Sequence, residues 1–447
     1  PANNVVKSYA ISQRQLGDPI GEELVGGEIQ TYRGHSNDVV TLAFSPAGAG
    51  AEPKYVMTGS LDNTVKIWDR ASGTEIATLI TLGTSDWVVT TPSGLFDASP
   101  GAMNSMYYAL GTELIELEQL KERYYEPGLL AKVMGFQKGA IRDVSAMGQL
   151  ALYPEMEAAI KETDQLRIQL TAGSGGMGKL SFFINGKEVA EDINPEQKTK
   201  LTVDLNSYEK YYLPGANTLA LRAYNSAGWL KSAAYELSYN PPVTGRGTST
   251  GSVQSLGNAK PHLYAIVVGT SDYSGTQLDL RFPDLDAASM AQALSGAGKA
   301  LFEDRVHLRL LTTDGKTPEA ISSKKNIAAA FSEFAAQAKP TDILVAYFSG
   351  HGLSYGSAEK SQFYYLTKDI ASPDLKDPEV RNNYTVSSDD LTRWLTAIAA
   401  RKQVMILDAC NSGKVVESLA VVGARELNSS QIRALDRMKD RTGMFIL

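Results

Sequence analysis

The sequence predicts a multidomain chain. It begins all-β, continues into a β-sandwich and ends in an α/β domain built on a mostly parallel sheet. Three observations predict this. Short runs alternate apolar and polar residues over the first hundred positions and again over 165–240, the period of half-buried strands. Beyond residue 260, continuous apolar runs alternate with stretches whose apolar residues recur at helical spacing, the order of a βαβ sheet. Between them, PPVTGRGTSTGSVQSLGNAK over 241–260 has a flexible linker's composition. The 447 residues leave room for two to four domains. An apolar share of 43% with 21% charged excludes a disordered, collagen-like or coiled-coil chain. A net charge of −7 argues against a general nucleic-acid binder. No apolar run reaches the length of a membrane-crossing helix. Cys410 is the sole cysteine, so no intrachain disulfide forms and the chain leans to a reducing compartment, the cytoplasm. It begins at Pro1 without a signal-like segment, so the expectation is a fragment boundary there.

The N-terminal region, residues 1–99, opens with GHSNDVVTLAFSP, whose Val40, Leu42 and Phe44 alternate. YVMTGSLDNTVKIWD gives two strands around a Leu61-Asp62-Asn63 turn, and GTEIATLI a further one. Gly34-His35 and Trp68-Asp69 have the spacing of a repeat whose blades carry G-H and W-D. This stretch resembles one blade of a WD-repeat β-propeller. The resemblance implies a polar network of His35, Ser60, Asp62 and Trp68, which makes His35 structural. One complete blade is visible, so the remaining blades lie upstream or are supplied otherwise. DWVVTTPSGLFDASPG follows as strand, turn and strand.

Residues 100–164 read as a connector, with a helix over TELIELEQLKERYY that places Leu114, Leu117 and Tyr124 on one side and ends at Pro127-Gly128. Residues 165–240 hold short strands, with Asn185-Gly186 as a hairpin turn. They resemble the immunoglobulin-like modules of bacterial multidomain proteins, without the cysteine pair. Gly173 to Leu180 (GSGGMGKL) mimics a phosphate loop, but Leu180 replaces the magnesium-binding hydroxyl and β runs flank it. A phosphate loop must open a helix, so a glycine-rich hairpin is the better reading.

The last domain, residues 261–447, alternates strand and helix. HLYAIVVG, VHLRLLTT, DILVAYFSGHG and KQVMILDACNSG are the strands; FPDLDAASMAQAL, TPEAISSKKNIAAAFSEFAAQA and SSDDLTRWLTAIAA are the helices. In such sheets sites collect beyond the carboxyl ends of the strands. His351 and Cys410 emerge there. A thiol becomes a nucleophile as thiolate, which a nearby imidazole promotes. Gly350, Gly352 and Gly413 permit close backbone approach to a substrate, and amides near Gly352 and Cys410 are candidates for an oxyanion hole. The bland alternative is a small buried thiol and a structural histidine.

YFSGHG and ILDACNSG, about 60 residues apart, resemble the dyad motifs of the caspase-like cysteine peptidases. YAIVVGTSDY and LDLRFPDLDAASMAQAL are similar to that family's first strand and helix. DACNSG is closer to metacaspases and bacterial relatives than to animal caspases. The resemblance implies an acidic pocket, with Asp408 and Asp286 as its carboxylates, favouring Arg or Lys before the scissile bond. A first-turn helix acid for Asp286 and a loop cap for Asp408 stay open. Arg281 would instead favour an acidic residue. No metal site is assigned and no cofactor is required, though relatives suggest calcium activation through Asp369, Asp389 and Asp390. SSDDL equally reads as a helix cap with first-turn acids. The stretch GKVVESLAVVGARELNSSQIRALDRMKDR, with Lys414 and Arg425 among its basic residues, resembles an autoprocessing linker, or is a charged helix or solvated loop. RTGMFIL is the expected first strand of a small-subunit part that then stops at Leu447.

The leading expectation is an endopeptidase for regulated proteolysis. Its protein substrate binds the last domain, a protein partner or regulator binds the propeller and sandwich, and neither nucleic acid nor membrane is bound. The alternative is a non-catalytic WD-repeat scaffold carrying an inactive caspase-like module.

Overall fold

The computed structural model describes residues 5–9, 28–47, 52–110, 113–137, 141–144, 150–161, 164–242, 260–357, 360–409 and 428–447. The chain forms two compact units, Pro1–Leu150 and Ala151–Leu447.

In the first unit, β1 (Val5–Tyr9) and β2 (Glu28–Arg33) pair antiparallel. Six strands then form one antiparallel meander, each paired with the next: β3 (Val39–Phe44), β4 (Tyr55–Ser60), β5 (Thr64–Asp69), β6 (Glu75–Leu82), β7 (Asp86–Thr90) and β8 (Phe96–Ala98). Asn63 takes φ 63° in the β4–β5 turn, where Asn is tolerated. The polar network is present, with one addition. Thr58 is its hub: Thr58 Oγ1 lies 2.8 Å from His35 Nε2 and accepts from Trp68 Nε1 at 2.8 Å. Asp62 Oδ2 holds His35 Nδ1 at 2.9 Å. Ser60 sits at the rim, donating to the Asn37 carbonyl and accepting from the Asp62 amide.

The connector holds α1 (Pro100–Met103), β9 (Tyr107–Leu110), β10 (Glu113–Glu116), α2 (Leu117–Tyr124) and α3 (Leu129–Val133). The expected helix from residue 112 is therefore half strand. Glu113–Glu116 pairs with Tyr107–Leu110, leaving Leu114 63% exposed and Ile115 buried, the alternation of a strand. The helix starts at Leu117, where the Gln119 side chain accepts the Glu116 N–H.

The second unit opens with a seven-stranded sandwich: β11 (Glu155–Lys161), β12 (Gln165–Thr171), β13 (Leu180–Ile184), β14 (Lys187–Ala190), β15 (Lys200–Asp204), β16 (Asn217–Ala223) and β17 (Tyr235–Tyr239). Its sheets run β11-β12-β15 and β14-β13-β16-β17. They close on one core that includes Leu166, Ile168, Phe182 and Leu221. The first strand lies inside the region the sequence reading gave to the connector (100–164), because Glu155–Lys161 pairs with Gln165–Thr171 along its whole length. Gly173–Lys179 leads into strand β13 and opens no helix, and Lys179 pairs with Glu191.

Then follow β18 (Leu263–Gly269), α4 (Pro283–Phe302), β19 (Val306–Leu311), α5 (Lys324–Gln337), β20 (Ile343–Ser349), β21 (Gly352–Tyr355), β22 (Gln362–Leu366), α6 (Pro378–Asn383), β23 (Thr385–Ser387), α7 (Ser388–Ala397), β24 (Lys402–Asp408), α8 (Ser429–Thr442) and β25 (Phe445–Ile446). The five-stranded sheet has the order β19-β18-β20-β24-β25, all parallel. β18 is buried along its whole length. Residues of α5, α7 and α8, among them Phe331, Phe334, Leu391 and Met438, pack one face. Ala287 and Ala291 of α4 cover Val267 and Tyr347 on the other. Replacing Phe331 or Phe334 by Ala would cost about 3–5 kcal/mol. The small antiparallel sheet β21-β22-β23 was not foreseen.

Candidate functional site

Two neighbouring strands position the site. β20 and β24 run parallel with Ser349 opposite Asp408. His351 stands two residues beyond the first and Cys410 two beyond the second. Cys410 lies outside the described residues, as do Gly413, Lys414 and Arg425. The exits are close-knit up to that point. The Gly350 amide donates to the Asp408 carbonyl at 3.3 Å. A Cβ on Gly352 would meet Phe363 at 2.5 Å and the Ala409 carbonyl at 2.7 Å. Gly352, an expected oxyanion donor, thus presses its backbone against the residue preceding Cys410. Gly350 takes φ +148°, and a Cβ there would meet the hydroxyls of Tyr273 and Tyr365 at 3.0 Å each, so a larger residue would be strained.

His351 is 3% exposed. Its backbone N–H donates to the Tyr273 hydroxyl at 3.1 Å, and its Nε2 lies 2.7 Å from the Leu278 carbonyl. A carbonyl only accepts, so Nε2 carries the proton and Nδ1 is the basic nitrogen of the neutral ring. Burial pushes the imidazole pKa below its ordinary 6.5, and the Leu278 carbonyl opposes this in part. Behind it, Tyr365 donates to the Ser349 carbonyl at 2.7 Å and shares a 2.8 Å contact with Thr270 Oγ1. This buried network fixes the strand exit.

Asp286, in the first turn of α4, and Asp408, at the end of β24, are both exposed. The Tyr347 hydroxyl donates to Asp408 Oδ2 at 3.3 Å. Burial raises the Tyr347 pKa, a hydrogen bond with Ser349 opposes this, and the charges of Asp408 and Asp286 raise it further. Asp408 stands at the strand exit that leads to Cys410. Arg281 is exposed ahead of α4.

The three carboxylates considered for calcium have separate engagements. Asp390 is held by Lys324 at 2.7 Å and Arg393 at 2.5 Å, and caps α7. Asp389 accepts from Gln362. Asp369 lines a groove with Arg309 and Glu333. Among the described residues no three metal-ligating side chains are grouped. Sequence reasoning missed Tyr273, Leu278 and Tyr347. Tyr273 was legible in VVGTSDY, just past the first strand; the Leu278 carbonyl, a backbone atom, left no signal.

A parallel sheet with helices on both faces is consistent with a caspase-like α/β domain. Residues 262–442 match the family model described as a caspase domain, and residues 26–69 match that of the WD domain, G-beta repeat. The chain thus joins a caspase-like domain to a WD repeat. Two curated relatives match over short stretches. The nuclear distribution protein PAC1-2 of Postia placenta is 41% identical over 80 residues, 14% of this chain and 18% of that protein. An uncharacterized WD repeat-containing protein of Synechocystis is 41% identical over 70 residues, 15% of this chain and 19% of that one. The chain spans less than a fifth of either. Among solved structures, a Geobacter sulfurreducens protein matches at 17% identity and TM-score 0.26, over 36% of this chain and 54% of that one. A point mutant of the PilB minor pilin from Streptococcus sanguinis matches at 9% and 0.22, over 60% and 82%. No helix among the described residues is long and apolar enough to cross a membrane.

Proposed function

We propose that this chain is a cysteine endopeptidase that cleaves proteins after Arg or Lys with a Cys410–His351 dyad. The observation that carries the reading is the state of His351: sealed from solvent, neutral, with its proton on Nε2, at the strand exit beside the one that leads to Cys410. Nδ1 takes the thiol proton, and the thiolate attacks the scissile carbonyl. The amides of Gly352 and Cys410 receive the developing oxyanion. The intermediate collapses to a thioester as imidazolium protonates the leaving amine. Water, deprotonated by the same nitrogen, then releases the acid and restores the thiol. Asp286 and Asp408 give the guanidinium or ammonium of the substrate charge-assisted partners. The WD repeat and sandwich recruit a partner or regulator, and the work is regulated proteolysis in the cytoplasm, where a lone thiol stays reduced.

The test is cleavage of fluorogenic peptides ending in Arg, Lys or Asp, with Cys410→Ala as control, in calcium and in chelator. Arg or Lys cleavage lost in the variant is expected. Asp cleavage would keep the dyad and overturn the two carboxylates. Silence in every condition would favour the scaffold reading.

A further inference from the structure

The contacts that orient His351 come from opposite ends of a single loop between β18 and α4. At one end the Tyr273 hydroxyl accepts the His351 backbone N–H at 3.1 Å. At the other the Leu278 carbonyl holds Nε2 at 2.7 Å. The Tyr273 ring also lies beside the imidazole, with centroids 5.2 Å apart. The geometry of residues 273–279 therefore sets where the imidazole sits and which nitrogen keeps its proton.

The loop is held at its middle, its neck and its ends. The middle rests on residues 368–371. The Ser274 and Gly275 amides donate to the Lys368 and Ile370 carbonyls at 2.9 and 3.1 Å, and Gln277 Nε2 donates to the Ala371 carbonyl at 3.0 Å. A Cβ on Gly275 would meet that last carbonyl at 2.0 Å, so only glycine lets the loop lie this close. The neck is tied by the Leu280 amide, which donates to the Ser271 carbonyl at 2.8 Å. The ends are joined by a side chain: Asp279 Oδ1 accepts the Tyr273 backbone N–H at 2.9 Å. Asp279 directly follows Leu278 and is exposed, so its side chain fills no core. What it supplies is one bond from an amide to a carboxylate, stronger than a neutral pair.

We propose that Asp279 is a positioning residue for His351: its carboxylate clasps the 273–279 loop, so that the Tyr273 hydroxyl and the Leu278 carbonyl reach the histidine together. This rests on the proposed function for its kinetic readout alone. The experiment uses the full chain with its four histidines isotope-labelled. It reads by NMR the solvent-exchange rate of the His351 Nε2 proton, whose signal is the one missing in His351→Gln, alongside kcat and KM. Asp279→Ala should raise the exchange rate about tenfold and lower kcat about tenfold. KM should stay nearly unchanged, and the loss should fall short of the hundredfold that a 1 Å misplacement can cost. Asp279→Asn, which keeps an acceptor oxygen, should recover most of both. Exchange and kcat unchanged in Asp279→Ala would overturn the proposal, and so would Asp279→Asn as impaired as Asp279→Ala. If the native chain cleaves no peptide, proton exchange alone decides it, so the two readings fail separately.

Discussion

His35 and His351 are both sealed from solvent, at 5% and 3% exposure, and they are held in opposite ways. His35 meets side chains on both ring nitrogens: Asp62 at 2.9 Å and Thr58 at 2.8 Å. Asp62 is itself held well below the usual carboxylate range; burial opposes this, and hydrogen bonds from Thr64, His35 and Ser36 outweigh it. That ring is a rivet between strands. His351 is tied through Nε2 to a backbone carbonyl, which fixes the tautomer and adds no charge. In the proposed dyad that ring accepts a proton at Nδ1. Both rings are buried, and what differs between them is the chemistry of the partners.

The largest effects should fall on the second histidine's side. Cys410→Ala should abolish cleavage, and His351→Ala should lower kcat by roughly 10²–10⁴. His35→Ala should leave kcat alone and lower the unfolding midpoint instead. Loss of kcat in His35→Ala, with the fold intact by circular dichroism, would break the comparison. Next, Asp408→Asn should cut kcat/KM on Arg peptides by about 10- to 100-fold, the worth of a hydrogen bond to a charged group, with Asp286→Asn smaller. Equal losses on uncharged peptides would rule out a specificity role. Within the blade, Thr58→Val strands the Trp68 indole N–H and the accepting Nε2 of His35, and should cost about 1–3 kcal/mol in a denaturant titration. Ser60→Ala should cost about 0.5 kcal/mol or less; the reverse order would make Ser60 the hub instead. The smallest effect is in pH. The lowered pKa keeps His351 neutral as pH falls through 6.5, so the acid limb of kcat/KM should lie below the free imidazole value. In that same window the unfolded chain binds the extra proton, so stability falls with pH there. An acid limb above 6.5 would contradict the burial argument.

Much of this was legible in the sequence. Both-face burial marks β18 as a continuous apolar run, and glycine-flanked loops mark the strand exits. Asn185-Gly186 marks its hairpin, with φ of 51° and 82°. Other features were not. Thr58 and Ser60 lie on one face of β4 by alternation, and only the depth of the Trp68 ring chooses between them. Leu114 and Leu117 satisfy a helical spacing, yet Leu114 is exposed while Ile115 and Leu117 are buried. β21 to β23 hide in a polar, tyrosine-rich stretch. The grip of Lys187 on α7 spans more than two hundred residues, and no local pattern encodes it.

The most direct test of the central claim is the rate of Cys410 alkylation against pH in the native chain and in His351→Ala. A dyad predicts fast labelling at neutral pH in the native chain, and in the variant a slow rate that climbs only toward the free thiol value of about 8.5. Superimposable profiles would show that His351 does not activate Cys410.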